Sequence, residues 1–250
     1  MSLVQAHYET LLAEHYTWMF GVPFEQRVAQ QRQLLEPLLP GVPLELAVDL
    51  GCGPGFQSFA LAQLGAKQVL ALDSSPALLR ELDSRKGNLP IEAILCELPE
   101  IPFSEASSAQ LMVCMGDTIT HLNSRADVQK LFGKVRRILA PGGVFVLTYR
   151  DLTTIPSGLD RFLPIRSDER KIMTCFLEEE SAEVIRVHDL IHTRSEQGWT
   201  LQKSSYPKLR LPAGWMQDSL TAARLKPHLH APANGMQIIT ATCHISSGNE

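Results

Sequence analysis

The sequence contains no apolar run that approaches the roughly 18 residues of a membrane-spanning helix, and its first residues lack a basic start followed by an apolar core. It also lacks an excess of positive charge, since 23 Lys and Arg stand against 27 Asp and Glu, for a net charge of -4. The phosphate backbone of a nucleic acid would therefore meet no broad positive electrostatic field. These absences predict a cytoplasmic protein with no membrane or nucleic-acid partner.

Low-complexity tracts are absent as well, and hydrophobic residues occupy 44% of the 250 positions. This composition is typical of a globular protein, and the length suits one α/β domain over residues 1–250. The cysteines are odd in number and widely spaced, which favours reduced core thiols over disulfides. They are Cys52, Cys96, Cys114, Cys175 and Cys243.

From residue 46 onward, short apolar runs bounded by Gly, Pro or Asp alternate with helical stretches. Such alternation predicts a mostly parallel, Rossmann-like sheet with flanking helices, and we assign residues 41–150 to this core. The predicted strands are 46–50, 68–73, 91–96, 110–115 and 144–149, and the predicted helices are 56–64, 76–85 and 125–139.

The segments on either side of this core follow other patterns. Residues 1–40 have helical spacing and predict an N-terminal helical lid. Residues 151–212 predict an inserted antiparallel β-meander, and residues 213–250 a return to the main sheet. The expected elements are extended segments at 171–178, 183–192 and 199–209, a turn at 195–198, a helix at 213–225 and a last strand at 236–244.

A strand that ends in a tight glycine turn is the most informative local pattern. The strand around Val48 runs into glycines at alternate positions and then into a helix. A ligand can approach such a backbone closely, because glycine has no Cβ. An ordinary strand-to-helix turn would need one glycine rather than three. The candidate cofactor-binding residues here are Asp49, Gly51, Cys52, Gly53 and Gly55.

Asp73 ends the second predicted strand, with Ser74 directly after it. A carboxylate at this place can accept both hydroxyls of an adenosine ribose. Taken alone, Asp73 could instead cap the next helix, but its pairing with the glycine turn favours ribose binding. Nicotinamide dinucleotides fit less well, because their fingerprint needs a glycine where this chain has Phe56 and because Pro54 removes a backbone donor for a pyrophosphate.

These segments resemble the class I S-adenosylmethionine-dependent methyltransferases. The family's first motif is similar to Val-Asp-Leu-Gly-Cys-Gly-Pro-Gly at 48–55, and Asp73 stands where the family has its ribose-binding acid. The segment Leu-Ala-Pro-Gly-Gly-Val-Phe-Val at 139–146 resembles the family's turn into the fifth strand. The resemblance implies S-adenosylmethionine as cofactor, S-adenosylhomocysteine as product, and a seven-stranded sheet whose last strand, at 236–244, is antiparallel.

The resemblance also implies roles at the ends of later strands, where open α/β sheets bind ligands. The segment 96–99, Cys-Glu-Leu-Pro, is similar to the loop that flanks the adenine. The fourth strand end would lie beside the methionine moiety, and His121 would face the methyl acceptor. The residues concerned are Glu97, Leu98, Met115, Gly116, Asp117 and His121.

Asp117 and His121 are the catalytic candidates, with histidine suited to proton transfer near neutral pH. In the alternative interpretation, the two residues only cap and close a short helical turn. Tyr16 and Trp18 belong to an aromatic segment that related proteins fold over the cofactor, where ring faces can stabilise a sulfonium. Core packing of the N-terminal helix is the alternative for both.

The sequence therefore favours a methyltransferase that acts on a small-molecule acceptor by in-line transfer. The rivals are an aminopropyltransferase, which should place further acidic residues at the acceptor, and a non-catalytic module that binds the cofactor or a partner. We expect no metal, because the pairs His228-x-His230 and His188-x-x-x-His192 lack further ligands. A homodimer through an edge strand of the meander is compatible with the pattern.

Overall fold

The computed structural model describes residues 2–102 and 108–243. Its strands form a seven-stranded sheet of order β10-β11-β5-β4-β1-β2-β3 and a four-stranded sheet of order β6-β7-β8-β9. The strands are β1 (Leu46–Leu50), β2 (Gln68–Asp73), β3 (Ile91–Leu95), β4 (Ala109–Cys114), β5 (Leu139–Tyr149), β6 (Phe162–Ser167), β7 (Lys171–Glu179), β8 (Val184–Ser195), β9 (Gly198–Leu209), β10 (Leu225–Ala233) and β11 (Met236–Cys243).

Helices cover both faces of the large sheet, which explains why its central strands are apolar on both sides. One face packs on α3, α4 and α5, and the other packs on α6 and α7. None of the described helices is long and apolar enough to cross a membrane. The helices are α1 (Leu3–His7), α2 (Tyr16–Met19), α3 (Phe24–Leu35), α4 (Phe56–Gln63), α5 (Pro76–Lys86), α6 (Arg125–Ile138) and α7 (Ala213–Ala222).

The predicted fold class is confirmed. Strands β1 to β5 pair in parallel, and β11 runs antiparallel to both of its neighbours, as the resemblance implied. His244, the last residue of the predicted strand, lies outside the described residues. The predicted meander is also present, and β8 and β9 are joined by the expected tight turn, with Ser195 paired to Gly198.

Two strands, β6 and β10, were not predicted. Both lie at the edge of their sheets, where proline is tolerated because one side of the strand needs no ladder partner. Pro164 lies beside an irregularity in β6, and Pro227 lies within β10. Prolines and exposed polar residues therefore hid the strand pattern.

The N-terminal segment is helical as predicted, but it changes helix type along its length. After α1, Tyr8–Leu12 form a π-helical turn and Ala13–His15 a 3₁₀ turn, which continue into α2. Leu11 and Leu12 are buried against Met173 and Ile191 of the four-stranded sheet. The apolar side of the N-terminal segment thus packs on the inserted sheet.

Arg210 joins this inserted sheet to the rest of the molecule. Its Nε donates to the carbonyl of Leu152 at 3.0 Å, and Nη1 donates to that of Ser181 at 3.2 Å. Nη2 lies 3.0 Å from a carboxylate oxygen of Glu179, and the Arg210 carbonyl accepts from Arg125 at 3.0 Å. A planar guanidinium with several donors is suited to satisfy acceptors from separate segments.

We predict that Arg210→Met lowers the free energy of unfolding by about 1–3 kcal/mol, because the carbonyl of the buried Leu152 loses its donor. Urea denaturation measures this change. Arg194→Met is the matched control, since that guanidinium lies over the exposed ring of Trp199. The control should change stability by less than about 0.5 kcal/mol. Equal effects of the two substitutions would contradict the anchoring role.

Candidate active site

A cavity opens beyond the carboxyl ends of β1, β2, β3 and β4, under the N-terminal segment. This edge is where open α/β sheets bind their ligands. Several of the predicted site residues, widely separated in the chain, are brought together here. The cavity is lined by the predicted residues Tyr16, Gly51, Gly53, Asp73, Ser74, Glu97, Leu98 and His121.

The glycine turn after β1 is bonded to the neighbouring strand. The N–H groups of Gly51 and Cys52 both donate to the carbonyl of Leu72, at 2.8 and 2.9 Å. Gly51 has a φ of +74°, and a Cβ at this position would lie 2.2 Å from a side-chain carbon of Thr118. Glycine is therefore required here by backbone conformation and by contact with the fourth strand loop, and not only by the approach of a ligand.

The carboxylate of Asp73 lies at the edge of the cavity and holds the surrounding loops. One oxygen accepts from the N–H of Gly53 and the other from that of Ser75, each at 2.8 Å. Burial raises the pKa of Asp73, and these backbone hydrogen bonds oppose the rise. A carboxylate oxygen has two acceptor sites, so each oxygen can still accept one further hydrogen bond from a ligand.

The loop after β3 forms the neighbouring wall. The N–H of Cys96 donates to the Asp73 carbonyl at 2.9 Å, which fixes the start of the loop beside the carboxylate. Glu97 is exposed and Leu98 is half-buried, and both line the cavity. The wall thus offers one apolar and one carboxylate group next to Asp73.

Three predicted residues of the glycine segment do not line the cavity. Asp49 is 1% exposed and accepts a 2.6 Å hydrogen bond from the Ser58 hydroxyl of α4. Cys52 is buried in the core, and a Cβ at Gly55 would meet Leu82 at 2.9 Å. These residues shape the turn from within the protein.

The end of β4 differs from the expectation in detail. Met115 is buried in the core, and the N–H of Gly116 donates to the Thr148 hydroxyl at 2.8 Å. The cavity is lined at this strand end by Thr118 instead, which sequence reasoning did not single out. The space left by Gly51 admits this side chain, a pairing that the linear spacing does not reveal.

Asp117, one of the two catalytic candidates, forms ion pairs with two basic side chains. Its Oδ2 lies 2.7 Å from Lys208 Nζ and 2.5 Å from Arg150 Nη1, while Oδ1 accepts from the Arg150 N–H at 2.9 Å. Burial would raise the pKa of Asp117, but Lys208 and Arg150 hold it below its usual range. The carboxylate is therefore a poor proton acceptor, and it joins β5 and β9 electrostatically.

His121, the other candidate, does line the cavity. Its ring stacks on that of Tyr206 with centroids 5.4 Å apart and planes 8° apart. Burial, together with nearby Lys208, lowers the pKa of His121 to about 3. The imidazole is therefore neutral at physiological pH and keeps a nitrogen lone pair.

The N-terminal segment lies over the cavity through Tyr16 but not through Trp18. A Cβ at Gly53 would lie 3.5 Å from the Tyr16 ring, so this ring faces the glycine turn. Trp18 does not line the cavity, because its Nε1 donates to Asp168 at 2.6 Å and Lys171 lies over its ring. Tyr8, which was not among the predicted site residues, lines the cavity as well.

The histidine pairs considered as metal ligands have other neighbours. The rings of His228 and His230 on edge strand β10 meet edge to face, with centroids 4.7 Å apart, and His188 lies 2.7 Å from Glu178. Within residues 2–102 and 108–243, no three potential ligands come together around a common point.

Comparison with known proteins agrees with this geometry. A family model described as a methyltransferase domain matches residues 47–143, which include the glycine turn, Asp73 and the cavity loops. The matched stretch, about two fifths of the chain, is similar to methyltransferase domains.

The relatives that match this chain are distant. The cypemycin N-terminal methyltransferase of a Streptomyces species is 26% identical over 57% of this chain and 63% of its own length. The trans-aconitate 2-methyltransferase of Methylobacterium radiotolerans is 31% identical over 48% of this chain and 45% of its own length. The chain thus spans less than two thirds of either relative.

Solved structures match nearly the whole chain and show its methyltransferase fold. The CcbJ methyltransferase of Streptomyces caelestis covers 98% of this chain and 97% of its own, with a TM-score of 0.76 and 17% identity. The S-adenosylmethionine-bound amino pentose methyltransferase CalS10 of Micromonospora echinaspora covers 92% and 95%, with a TM-score of 0.74 and 17% identity.

The buried carboxyl of Asp49 predicts that the stability of the protein depends on pH. Burial raises the pKa of Asp49 to about 7, whereas an unfolded aspartate titrates near roughly 3.9. Between these values the unfolded chain loses a proton that the folded protein retains, so stability falls as pH rises. Asp49→Asn has no such proton, and its unfolding free energy relative to wild type should therefore rise by about 1–4 kcal/mol from pH 4.5 to 7.5.

Urea denaturation at both pH values measures this difference. Asp83→Asn, which alters a half-exposed carboxylate paired with Lys86 on α5, is the control and should show little pH-dependent change. A difference between Asp49→Asn and wild type that stays constant across this pH range would show that Asp49 is ionised in the folded protein.

Proposed function

We propose that the protein binds S-adenosylmethionine in this cavity and transfers its methyl group to a small-molecule acceptor. The observation that carries the proposal is the Asp73 carboxylate, held between Gly53 and Ser75 at the cavity edge with acceptor capacity to spare. Two vicinal ribose hydroxyls match that capacity. Leu98 and Glu97 would then face the adenine, one by apolar contact and the other by accepting a hydrogen bond.

The aromatic side of the cavity fits the sulfonium end of this cofactor. Tyr8 and Tyr16 both line the cavity, with ring centroids 5.8 Å apart. Aromatic faces attract cations, and a sulfonium loses its charge when the methyl group leaves. These rings would therefore favour binding of the cofactor over its demethylated product. Trp18 is not part of this arrangement, since it is bonded to Asp168.

When bound, S-adenosylmethionine supplies an electrophilic methyl carbon, so the chain's main task is to hold the acceptor atom in line with it. We assign to His121 the orientation of the acceptor, because it lines the cavity and its neutral imidazole can accept a hydrogen bond from the acceptor's N–H or O–H group. Asp117 is instead assigned an electrostatic role, since both of its oxygens are already bonded. An acceptor that arrives without an acidic proton would need only the positioning.

The names of the relatives support a small acceptor, because one is a trans-aconitate methyltransferase and another an amino pentose methyltransferase. The aminopropyltransferase alternative needs carboxylates at the acceptor. Among the described cavity residues the carboxylates are Asp73 and Glu97, which lie on the nucleoside side.

A non-catalytic module remains the second alternative. Location in the cytoplasm and a homodimer remain predictions.

Titration calorimetry with S-adenosylmethionine and S-adenosylhomocysteine tests the proposal. Asp73→Ala should weaken binding of both by about 10- to 100-fold, because charge-assisted hydrogen bonds are lost. Asp73→Asn, which keeps the volume and one acceptor oxygen, should have an affinity between those of the wild type and Asp73→Ala. Asp218→Ala removes an exposed carboxylate on α7 and is the matched control, with affinity unchanged.

Release of S-adenosylhomocysteine in the presence of mixed small metabolites then separates an enzyme from a binding module. Absence of affinity in the wild type, or full affinity in Asp73→Ala with its fold intact by circular dichroism, would refute cofactor binding at this site. Binding without product release from any acceptor would favour the non-catalytic module.

A further inference from the structure

A set of stacked rings connects the inserted sheet with the cavity wall. Tyr206 of β9 is 5% exposed, and its ring lies parallel to that of His121 at 5.4 Å. The same ring packs on His7 of α1, with centroids 4.2 Å apart and an interplanar angle of 32°. Tyr206 therefore contacts one imidazole from the N-terminal segment and one from the loop after β4.

Tyr206 is held in turn by a buried polar pair. His7 Nε2 lies 3.0 Å from Asp189 Oδ2, and the two residues are 1% and 3% exposed. Asp189 belongs to β8, the strand paired with β9. The N-terminal segment and the inserted sheet thus clamp the tyrosine ring from one side.

His121 lacks such an anchor of its own. Its Nδ1 is buried, and no described residue forms a hydrogen bond with it. Its ring is contacted by Tyr206 face to face and by Tyr8 edge-on at 5.8 Å. With Nδ1 buried, Nε2 is the nitrogen that can reach the cavity.

We propose that Tyr206 is a positioning residue for methyl transfer, whose ring holds His121 with Nε2 directed at the acceptor. The inference rests on the proposed function, in which the acceptor atom bonds to the methyl carbon as the carbon–sulfur bond breaks. The electron pair of that bond stays on sulfur, and the acceptor's proton leaves to water, while Nε2 accepts a hydrogen bond that orients the acceptor group. The inserted sheet thereby supplies part of the reaction geometry to a site built on the main sheet.

The pKa of His121 reports how its imidazole is packed. The imidazole is faced by Asp117 from its own loop, Lys208 from β9, and His7 from α1. Burial has the largest effect in lowering its pKa. Removing the Tyr206 ring would admit water, so the pKa of His121 should rise towards its ordinary value.

Tyr206→Leu is the central variant, with Tyr206→Met carrying the same test if the leucine variant does not fold. Tyr206→Phe keeps the ring and should restore most of the lost activity. Phe176→Leu is the matched control, because it removes a ring that lies 5.6 Å from His188 in the same inserted sheet. It should leave both activity and His121 unchanged.

Two readouts apply to each variant. In the first, kcat of Tyr206→Leu falls by at least about 10-fold while the affinity for S-adenosylhomocysteine stays within about twofold, as expected when only the reacting geometry is lost. In the second, the His121 imidazole resonance, assigned by its loss in His121→Gln, is titrated by NMR. Its pKa should rise by about one pH unit or more in Tyr206→Leu and stay constant in Tyr206→Phe.

The NMR readout requires no methyl transfer, so it separates this inference from the proposed function. An unchanged His121 titration in folded Tyr206→Leu would overturn the positioning role even if the protein is a methyltransferase. A shifted titration with full kcat would show that the ring buries His121 without aiding transfer, and would also overturn it. Failure of the wild type to bind the cofactor would refute the proposed function. The NMR titration would still show whether Tyr206 packs on His121.

Discussion

The carboxylate of Asp73, bonded to the N–H groups of Gly53 and Ser75, is the contact on which the architecture of the site depends. It connects the glycine turn after β1 with the start of α5, and the Asp73 carbonyl also holds Cys96 after β3. Three strand ends are thereby fixed around one partly buried acid. Burial of this acid is costly unless it is hydrogen-bonded, and its remaining acceptor capacity points to a polar ligand.

The rest of the cavity is supplied by segments outside the parallel core. The N-terminal segment contacts the core where Gln5 donates to the Ser74 carbonyl at 2.9 Å, and it contacts the inserted sheet through His7 and Asp189. Lys208 of that sheet reaches Asp117 at the end of β4. Core, N-terminal segment and inserted sheet are therefore mutually bonded around the cavity.

The parallel core was predictable because buried strands and helices leave strong local patterns, as with the run at β1 and the glycine turn after it. Edge strand β10 was not, since its proline and exposed residues carry no such pattern. Contacts between residues that are distant in sequence could not be predicted either. Asp117 is neutralised by Lys208, 91 residues later, and Trp18 is drawn from the cavity by Asp168, 150 residues later. No local spacing encodes these pairings, and they decide which candidates face the cavity.

A crystal structure of the protein with S-adenosylhomocysteine tests the central claim most directly. The account predicts that the ribose hydroxyls lie within about 3 Å of the Asp73 carboxylate, with the adenine beside Leu98 and the sulfur towards His121. A ligand bound elsewhere, or a ribose turned away from Asp73 in an otherwise occupied cavity, would contradict it.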